Sequence, residues 1–600
     1  MVVPITETRE PRTDEIAVSA PGGAPGGVDL AGAEPAQAIL AVAKLAGIEH
    51  LWFVSGNDLV SFQEAASRAR EHGLPAPRIM QMVHEHVAIS IAMGEAMIRR
   101  APSAVAAHVD VGLLHMGGAL HNAMVGQYPV LVITGYPGTT RERRTIPVFW
   151  KQQRWDQGEI ARQFMKWDYK LSTYDDPALV TARALQVATT PPQGPAYLIV
   201  PKEVGHVPLG RDAAITTVDR LGIPRVGAGP DDAVDEIARR ILDADHPLVI
   251  TDRVGRDPRA IGALDELARE FAIAVRATRH RMNLPDDHPS SWAGGTFTSA
   301  QTPRDDGIVP LAHADAIVVL EHLVPWIPAR EQPSPDAWIA TVGVDPAALT
   351  VPLYEFPSDV RITADPADFL ASLLERMRSL RTPWQAERIH DRWASFETLA
   401  GRRIAERDSA VPTTGPIDEE ALGGAMAQVL EREDVLTWEM TDTGRIPRTR
   451  PDTLFESGGS SLGWSVAAGM GVRFADHGRF VASLVGDGAY QFGSPSILLW
   501  AQGRYDVPIL TVVANNRGYR TGTVRLREDY PDGSAVRAND YSGGTFDPPP
   551  DFAAQARAAG GFGARVDERA DLVPTLREAR AAVERGGRPA VVDVWLPPLA

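Results

Sequence analysis

"GDGAYQFGSPSILLWAQGRYDVPILTVVANNRGY", residues 486–519, holds two polar clusters, Gly486-Asp487-Gly488 and Asn515-Asn516. Each closes an apolar run: "FVASLVGDG" leads into the first and "VPILTVVANN" into the second. Such runs read as buried strands, and the segment between them reads as a helix. One strand–helix–strand crossover therefore brings Asp487 beside the Asn pair at the C-terminal edge of a parallel sheet, where ligands of such sheets bind. Glycines there admit a phosphate close to the backbone. A carboxylate oxygen, an amide oxygen and a main-chain carbonyl are hard ligands that suit Mg²⁺ with phosphate oxygens completing its shell. The stretch reads as a Mg²⁺–diphosphate clamp. Gly-Asp-Gly alone is a common turn; the pairing of both clusters across one crossover is what carries the reading.

Six hundred residues exceed what one core supports, so about three domains are expected. The balance of 60 basic against 77 acidic residues, −17 overall, argues against nucleic acid or an anionic membrane as the partner. The absence of cysteine excludes disulfides, thiolate metal sites and a cysteine nucleophile. No run has the length of a membrane span and the start lacks a signal-peptide pattern, so a cytoplasmic protein is expected.

Residues 1–29, with "SAPGGAPGGVD", read as a flexible tail. Strands such as "HLWFVSG", "PSAVAAHV", "YPVLVITG" and "GPAYLIVPKEV" then alternate with helical patterns over 30–205. A linker is expected over 206–230 and a second α/β unit over 231–377, with "PLVITD", "ADAIVVLE" and "AWIATVGVD" as strands. Residues 378–414 read as a helical connector and 415–600 as a third α/β unit. The fold class is α/β, with three consecutive doubly wound parallel-sheet domains.

Gly-Asp-Gly, about two dozen residues and Asn-Asn, within three α/β units, resemble the thiamine diphosphate enzymes of the acetolactate synthase, benzoylformate decarboxylase and pyruvate decarboxylase superfamily. The resemblance spans about residues 30–598 and makes the three units pyrimidine-binding, central Rossmann-like and diphosphate-binding. It implies Mg²⁺ on Asp487, Asn516 and the Gly518 carbonyl, with Asn515 as the other candidate amide. Gly486, Gly488 and Ala489 would face the diphosphate; Ala489 replaces a frequent Ser and offers only its N–H. In "MQMVHEHVAISIAMGEAM", Glu85 would bond the pyrimidine N1′ and so favour the imino tautomer that generates a C2 ylid. A solvated helix-start carboxylate is the plain alternative. His84 and His86 lack the i, i+4 spacing of a helical metal pair and read as packing residues. In "ESGGSSLGWSVAAGMGVRFA", Leu462 falls at the position that wedges the bent cofactor. Gly56, Glu439, Met440 and Thr441, at strand ends, fall where relatives meet the cofactor.

The substrate side is matched by "HVDVGLLHMGGALHNAMVGQYPVLVITG", residues 108–135. Benzoylformate decarboxylase carries a catalytic His at the position of His108, and His115 stands in the same wall. A near-neutral imidazole can protonate the carbon left by C–C cleavage. His288 lies in a segment that approaches the site in relatives. Trp150, Trp155 and Trp167, with Gln152 and Gln153, would form a pocket rim or a subunit contact, or read as packing aromatics. "WAGGTFTSAQTPRDDG", residues 292–307, is not the pattern around FAD, and FAD is not expected. Arg253, Arg256 and Arg259 would meet a nucleotide such as CoA or are scattered surface arginines. The resulting expectation is a lyase that decarboxylates a small 2-oxo acid and releases or transfers the aldehyde. Alternatives are 2-hydroxyacyl-CoA lyase, acetolactate synthase-like carboligase, and an inert cofactor-binding paralogue. The family implies a homodimer at minimum and often a homotetramer. Residues 520–546, rich in turn formers, read as a mobile loop over the site.

Overall fold

The computed structural model describes residues 32–598, save 211–214, 216, 279, 294–308, 409–411 and 441–445. It contains three six-stranded sheets, all parallel. The first comprises β1 (His50–Val54), β2 (Arg78–Met82), β3 (Ser103–Ala107), β4 (Val130–Tyr136), β5 (Trp167–Lys170) and β6 (Ala196–Pro201). The second comprises β7 (Pro247–Thr251), β8 (Ala274–Ala277), β9 (Ser291–Ala293), β10 (Ala316–Leu320), β11 (Trp338–Gly343) and β12 (Val360–Thr363). The third comprises β13 (Val435–Glu439), β14 (Leu454–Phe455), β15 (Val481–Gly486), β16 (Leu510–Asn515), β17 (Phe562–Val566) and β18 (Ala590–Trp595). Central strands such as β3, β4, β6, β7 and β10 are buried at every residue because helices cover both faces, which is why they read as unbroken apolar runs.

The outer two sheets share one connectivity. Their orders, β2-β1-β3-β4-β6-β5 and β14-β13-β15-β16-β18-β17, are the same permutation. The central sheet runs β12-β11-β10-β7-β8-β9, so its chain reverses direction between β7 and β10. The first and third domains also share a hydrophobic core, in which the helices Glu85–Arg99 and Ser465–Ala475 cross. Gly94 abuts the Ala468 carbonyl and Gly471 the Ile91 carbonyl so closely that neither admits a Cβ.

Three segments depart from the sequence reading. Part of the expected linker (Leu209, Ile215, Val218, Leu221) packs back on the first domain. The helix Pro383–Arg407 is no free connector: Ile389, Trp393 and Phe396 join the central core, and Arg392 donates to the carbonyls of Ala244, Phe271 and Ala272. Residues 520–546 contain the helices Arg520–Asp529 and Ser534–Ala538, the first braced by an Arg525–Asp529 pair one turn apart. The Gly and Pro content of the stretch masked that helical run.

Candidate active site

In the third domain, β15 runs straight into the helix Asp487–Phe492. Asp487 is buried; its Oδ1 accepts from the Gly488 N–H at 2.8 Å and its Oδ2 from the Gly518 N–H at 2.9 Å. These bonds draw the two ends of the crossover together. Burial pushes the Asp487 carboxyl up to about 6, more than its backbone donors lower it.

The two asparagines have different tasks. Asn515 is fully buried and turned into the sheet, donating to Asp593 Oδ1 at 2.8 Å and accepting from the Arg517 N–H at 3.1 Å. Asn516 Oδ1 is buried and accepts no hydrogen bond. An orphaned buried oxygen two residues before the Gly518 N–H that the Asp487 carboxylate holds fits a cation. The Gly518 carbonyl takes the Arg520 N–H at 3.2 Å and retains a second lone pair. A Cβ built on Gly486 would find nothing nearer than the Glu439 carbonyl at 4.0 Å, so the space above the strand end is open for a phosphate. Gly488 lies under the Tyr519 ring, and Ala489 is buried. Among the described residues no cluster of three or more His, Cys, Asp or Glu could hold a metal, which leaves this mixed oxygen set as the cation candidate.

The Glu439 side chain is engaged within its own domain. Its carboxylate accepts the N–H groups of Gly463 (2.6 Å), Trp464 (2.9 Å) and Ser465 (2.8 Å), capping the helix Ser465–Ala475. Burial pushes it up to about 7 against those three donors. Only its main chain borders the open space at Gly486. The Met440 carbonyl accepts from Trp438 Nε1 at 2.7 Å, and Thr441 lies outside the described residues. Leu462 is half-buried on the loop before that helix, packed against the shared core. Asn122 of the first domain grips the preceding residue, donating to the Ser461 carbonyl at 2.9 Å and accepting its N–H at 3.0 Å.

In the first domain, Glu85 opens the helix Glu85–Arg99 and is buried. Its Oε2 pairs with His115 Nδ1 at 3.2 Å, and its Oε1 faces Gly112. His84 stacks on His115, with centroids 5.8 Å apart and planes 12° apart. His86 is buried, and that burial pushes its imidazole down to about 4.

His108 ends β3 and precedes the helix Val109–Val125. Its Nδ1 is hydrogen-bonded to the buried Asp58 carboxylate, and its Nε2 faces the Gln152 amide at 2.8 Å. The Asp58 bond is the largest influence and raises the imidazole above its ordinary value. Asp58 Oδ2 also accepts the Val109 N–H at 3.3 Å, and Val109 is held at φ 25°, a strained conformation for a β-branched residue. Gly56 and Gly135 leave the room that Asp58 and His108 fill; a Cβ on either would meet the carboxylate. Gly56 is thus a spacer for this pair. Asp58 was not singled out by sequence reasoning, and Gln152 only as part of a pocket rim or subunit contact. The available signal was an Asp two residues past a strand-ending Gly, in "FVSGNDL".

Several expected site residues are elsewhere. His288 is buried in the central domain against Trp393, its Nδ1 accepting the Ser290 N–H at 3.0 Å. Of the three tryptophans only Trp167 packs, stacked on Tyr169; Trp150 and Trp155 are exposed. Arg253 and Arg256 bond the carbonyls of Val125 and Gly126, and exposed Arg259 pairs with Asp257, so none of the three is a free nucleotide contact. Most of the segment expected to exclude FAD, residues 294–307, lies outside the described residues.

A doubly wound trio of parallel sheets with a hard-oxygen clamp in one and a helix-start glutamate in another defines a cofactor-binding enzyme class. Residues 34–163 match the family described as thiamine pyrophosphate enzyme, N-terminal TPP binding domain, and residues 440–594 the C-terminal TPP binding domain. Human 2-hydroxyacyl-CoA lyase 1 is 23% identical over 94% of this chain and 95% of its own. Benzoylformate decarboxylase of Pseudomonas aeruginosa is 23% identical over 85% of this chain and 90% of its own. Among solved structures, the thiamine diphosphate-dependent 4-hydroxybenzoylformate decarboxylase of Rhodococcus jostii RHA1 superposes with a TM-score of 0.74 at 18% identity, covering 94% of this chain and 99% of that one. The chain thus carries the N-terminal and the C-terminal domain of the thiamine pyrophosphate enzymes.

Proposed function

We propose that the protein is a thiamine diphosphate- and Mg²⁺-dependent lyase that decarboxylates a small 2-oxo acid. The observation that carries the reading is the Asp58–His108 pair, which presents an imidazole Nε2 toward Gln152 with its other nitrogen fixed. Asp487, Asn516 and the Gly518 carbonyl would hold Mg²⁺ and, with Gly486, Gly488 and Ala489, the diphosphate. Glu85 would bond the pyrimidine ring, with His115 fixing the carboxylate from its other oxygen. The cofactor supplies an acidic thiazolium carbon and an electron sink for the cleaved bond. His108 would move a proton at Nε2 to or from the reacting carbon; Asp58 keeps Nδ1 occupied and raises the imidazole, while Nε2 accepts from the Gln152 amide N–H, a contact that must open before the proton moves. Leu462 would wedge the two rings of the cofactor.

The 2-hydroxyacyl-CoA lyase reading has the end-to-end likeness to the human enzyme in its favour. Against it stand the engaged arginines of the central domain. The two differ in one assay. Protein loaded with thiamine diphosphate and Mg²⁺ is offered pyruvate, benzoylformate and a short 2-hydroxyacyl-CoA, and quenched cofactor adducts are read by NMR. Adducts with CO₂ release from an oxo acid support the decarboxylase; adducts from the thioester alone reject it.

We further propose a homodimer at minimum. Val111 (42% exposed) and Leu114 (58%) stand one turn apart beside His115 on the helix that lines the site. A second copy covering them would complete the cleft, and sedimentation velocity of the purified chain tests this.

A further inference from the structure

The central domain contributes no residue to the site described above, yet it touches both helices that carry it. The Val109–Val125 helix ends against the segment 253–256. Arg253 donates to the Val125 carbonyl at 3.0 Å. Arg256 donates to the Gly126 carbonyl at 2.6 Å and to Gln127 Oε1 at 2.5 Å. The last carbonyls of a helix have no partner within it and carry the negative end of its dipole, so two guanidiniums there satisfy both needs. The helix exit itself is strained: Gln127 stands at φ 55° and Gly126 has no room for a Cβ between Tyr128 and the Ser457 carbonyl. Such a turn persists only where its surroundings hold it. The neighbouring helix Glu85–Arg99 ends at the same place, where Arg100 Nε donates to the Arg256 carbonyl at 2.9 Å. Arg256 is kept there although burial and the nearby Arg253 and Arg281 guanidiniums pull it down to about 9.

We infer that Arg256, supported by Arg253, is a positioning residue: it fixes the C-terminal ends of the two helices whose other ends present Glu85 and His108. The helices, 15 and 17 residues long, are rigid rods of about 22 and 25 Å. A displacement at one end therefore reaches the other, and misplacement by about 1 Å costs about 10²-fold in rate. The same helix grips the Leu462 loop through Asn122, and Tyr128, just past its end, donates to the Glu456 carbonyl at 3.3 Å. The central domain thus bears on all three groups that would meet the cofactor. The inference rests on the proposed roles of Glu85 and His108.

The test compares Arg256→Met, Arg256→Lys and, as control, Arg259→Met, which alters an exposed arginine of the same domain paired only with acidic side chains. In the cofactor-free protein, hydrogen exchange over residues 109–127 and the NMR titration of the His108 ring are measured. Arg256→Met is expected to speed exchange there at least tenfold and to move the His108 titration, with Arg256→Lys between it and wild type. In the loaded enzyme kcat should fall at least tenfold while KM stays within twofold, and added guanidinium should restore part of it. Folded Arg256→Met with wild-type exchange and His108 titration overturns the inference. Should that variant not fold, Arg256→Lys indistinguishable from wild type in exchange and kcat does so. A wild-type protein inert toward every substrate would instead count against the proposed function, and the cofactor-free measurements would still decide this one.

Discussion

The crevice between β15 and β16 and the crevice between β7 and β10 are built alike, each at the C-terminal edge of a parallel sheet. They differ in which groups are engaged, although Thr251 Oγ1 at the end of β7 is also buried without a hydrogen bond. In the first, Asn516 keeps an oxygen without a hydrogen bond and Gly486 borders open space. In the second, Asp252 is engaged by Thr278 and by His280 at 2.5 Å, Glu321 by the Val344 N–H at 2.6 Å, and Arg253 and Arg256 by the first domain. A cavity of about 280 Å³ beside that second crevice is lined by Arg253, Glu321 and Thr341. The difference teaches that the fold supplies a place for a ligand, while the polar groups left unpaired there decide which edge is built to hold one.

The sharpest way to break this contrast is at the residues the open edge would serve. Glu85→Gln should lower turnover by about 10³-fold or more, within the span of acid–base contributions, with little change in melting temperature. Deuterium exchange at C2 of the bound cofactor, read by NMR, checks it; wild-type exchange would remove Glu85 from the mechanism. Next in size is the asparagine pair. Asn516→Leu should weaken Mg²⁺ binding by about 10–100-fold, as loss of a metal contact does. Asn515→Leu should chiefly destabilise the sheet, by about 1–3 kcal/mol, because it leaves the buried Asp593 Oδ1 unpaired while Trp595 Nε1 still donates to Oδ2. Calorimetric titration with Mg²⁺ and thiamine diphosphate tells them apart; equal losses of affinity would sink the division of labour.

Asp58→Asn should reduce turnover by about tenfold at neutral pH, less than the roughly 10²–10⁴-fold that an acid–base group itself contributes. Because Asp58 raises the His108 imidazole, its loss should move the alkaline limb of the rate profile to lower pH. The stability that the pair contributes is present below the unfolded imidazole value and is lost as pH rises through the raised folded one. The last prediction concerns the stability of the metal-free protein at Asp487. Its carboxyl is raised from 3.8 to about 6, so the fold favours its protonated form, and this contribution is lost as pH rises from about 4 through 6. Without metal, Asp487→Asn should therefore gain up to about 3 kcal/mol on wild type across that window. Mg²⁺ with thiamine diphosphate should cancel the gain. Thermal melts at pH 4.5 and 7 measure it, and a pH-independent difference would contradict the burial argument.

The architecture was legible in residue order because buried parallel strands are continuous apolar runs, and "FVASLVGDG" and "VPILTVVANN" need no partner to be recognised. Short or edge strands were missed: β2, β5, β14 and β17 expose residues or are brief, so their periodicity is weak. Asp487 was visible from local pattern, at the junction of a strand and a helix, while Glu85 was picked out only through the family resemblance.

What sequence alone could determine was therefore the fold class, the family resemblance and which short segments are candidates for the chemistry, since these depend on neighbours along the chain. Tertiary structure decided the rest. It turned Asn515 into the sheet and left Asn516 bare, bound Glu439 to a helix start, joined Asp58 to His108 across 50 residues, and brought Arg253 and Arg256 onto the end of a helix in another domain. Each of those outcomes is a hydrogen-bond satisfaction problem solved between distant segments in a buried environment. Local spacing carries no information about which distant donor a buried carboxylate will meet.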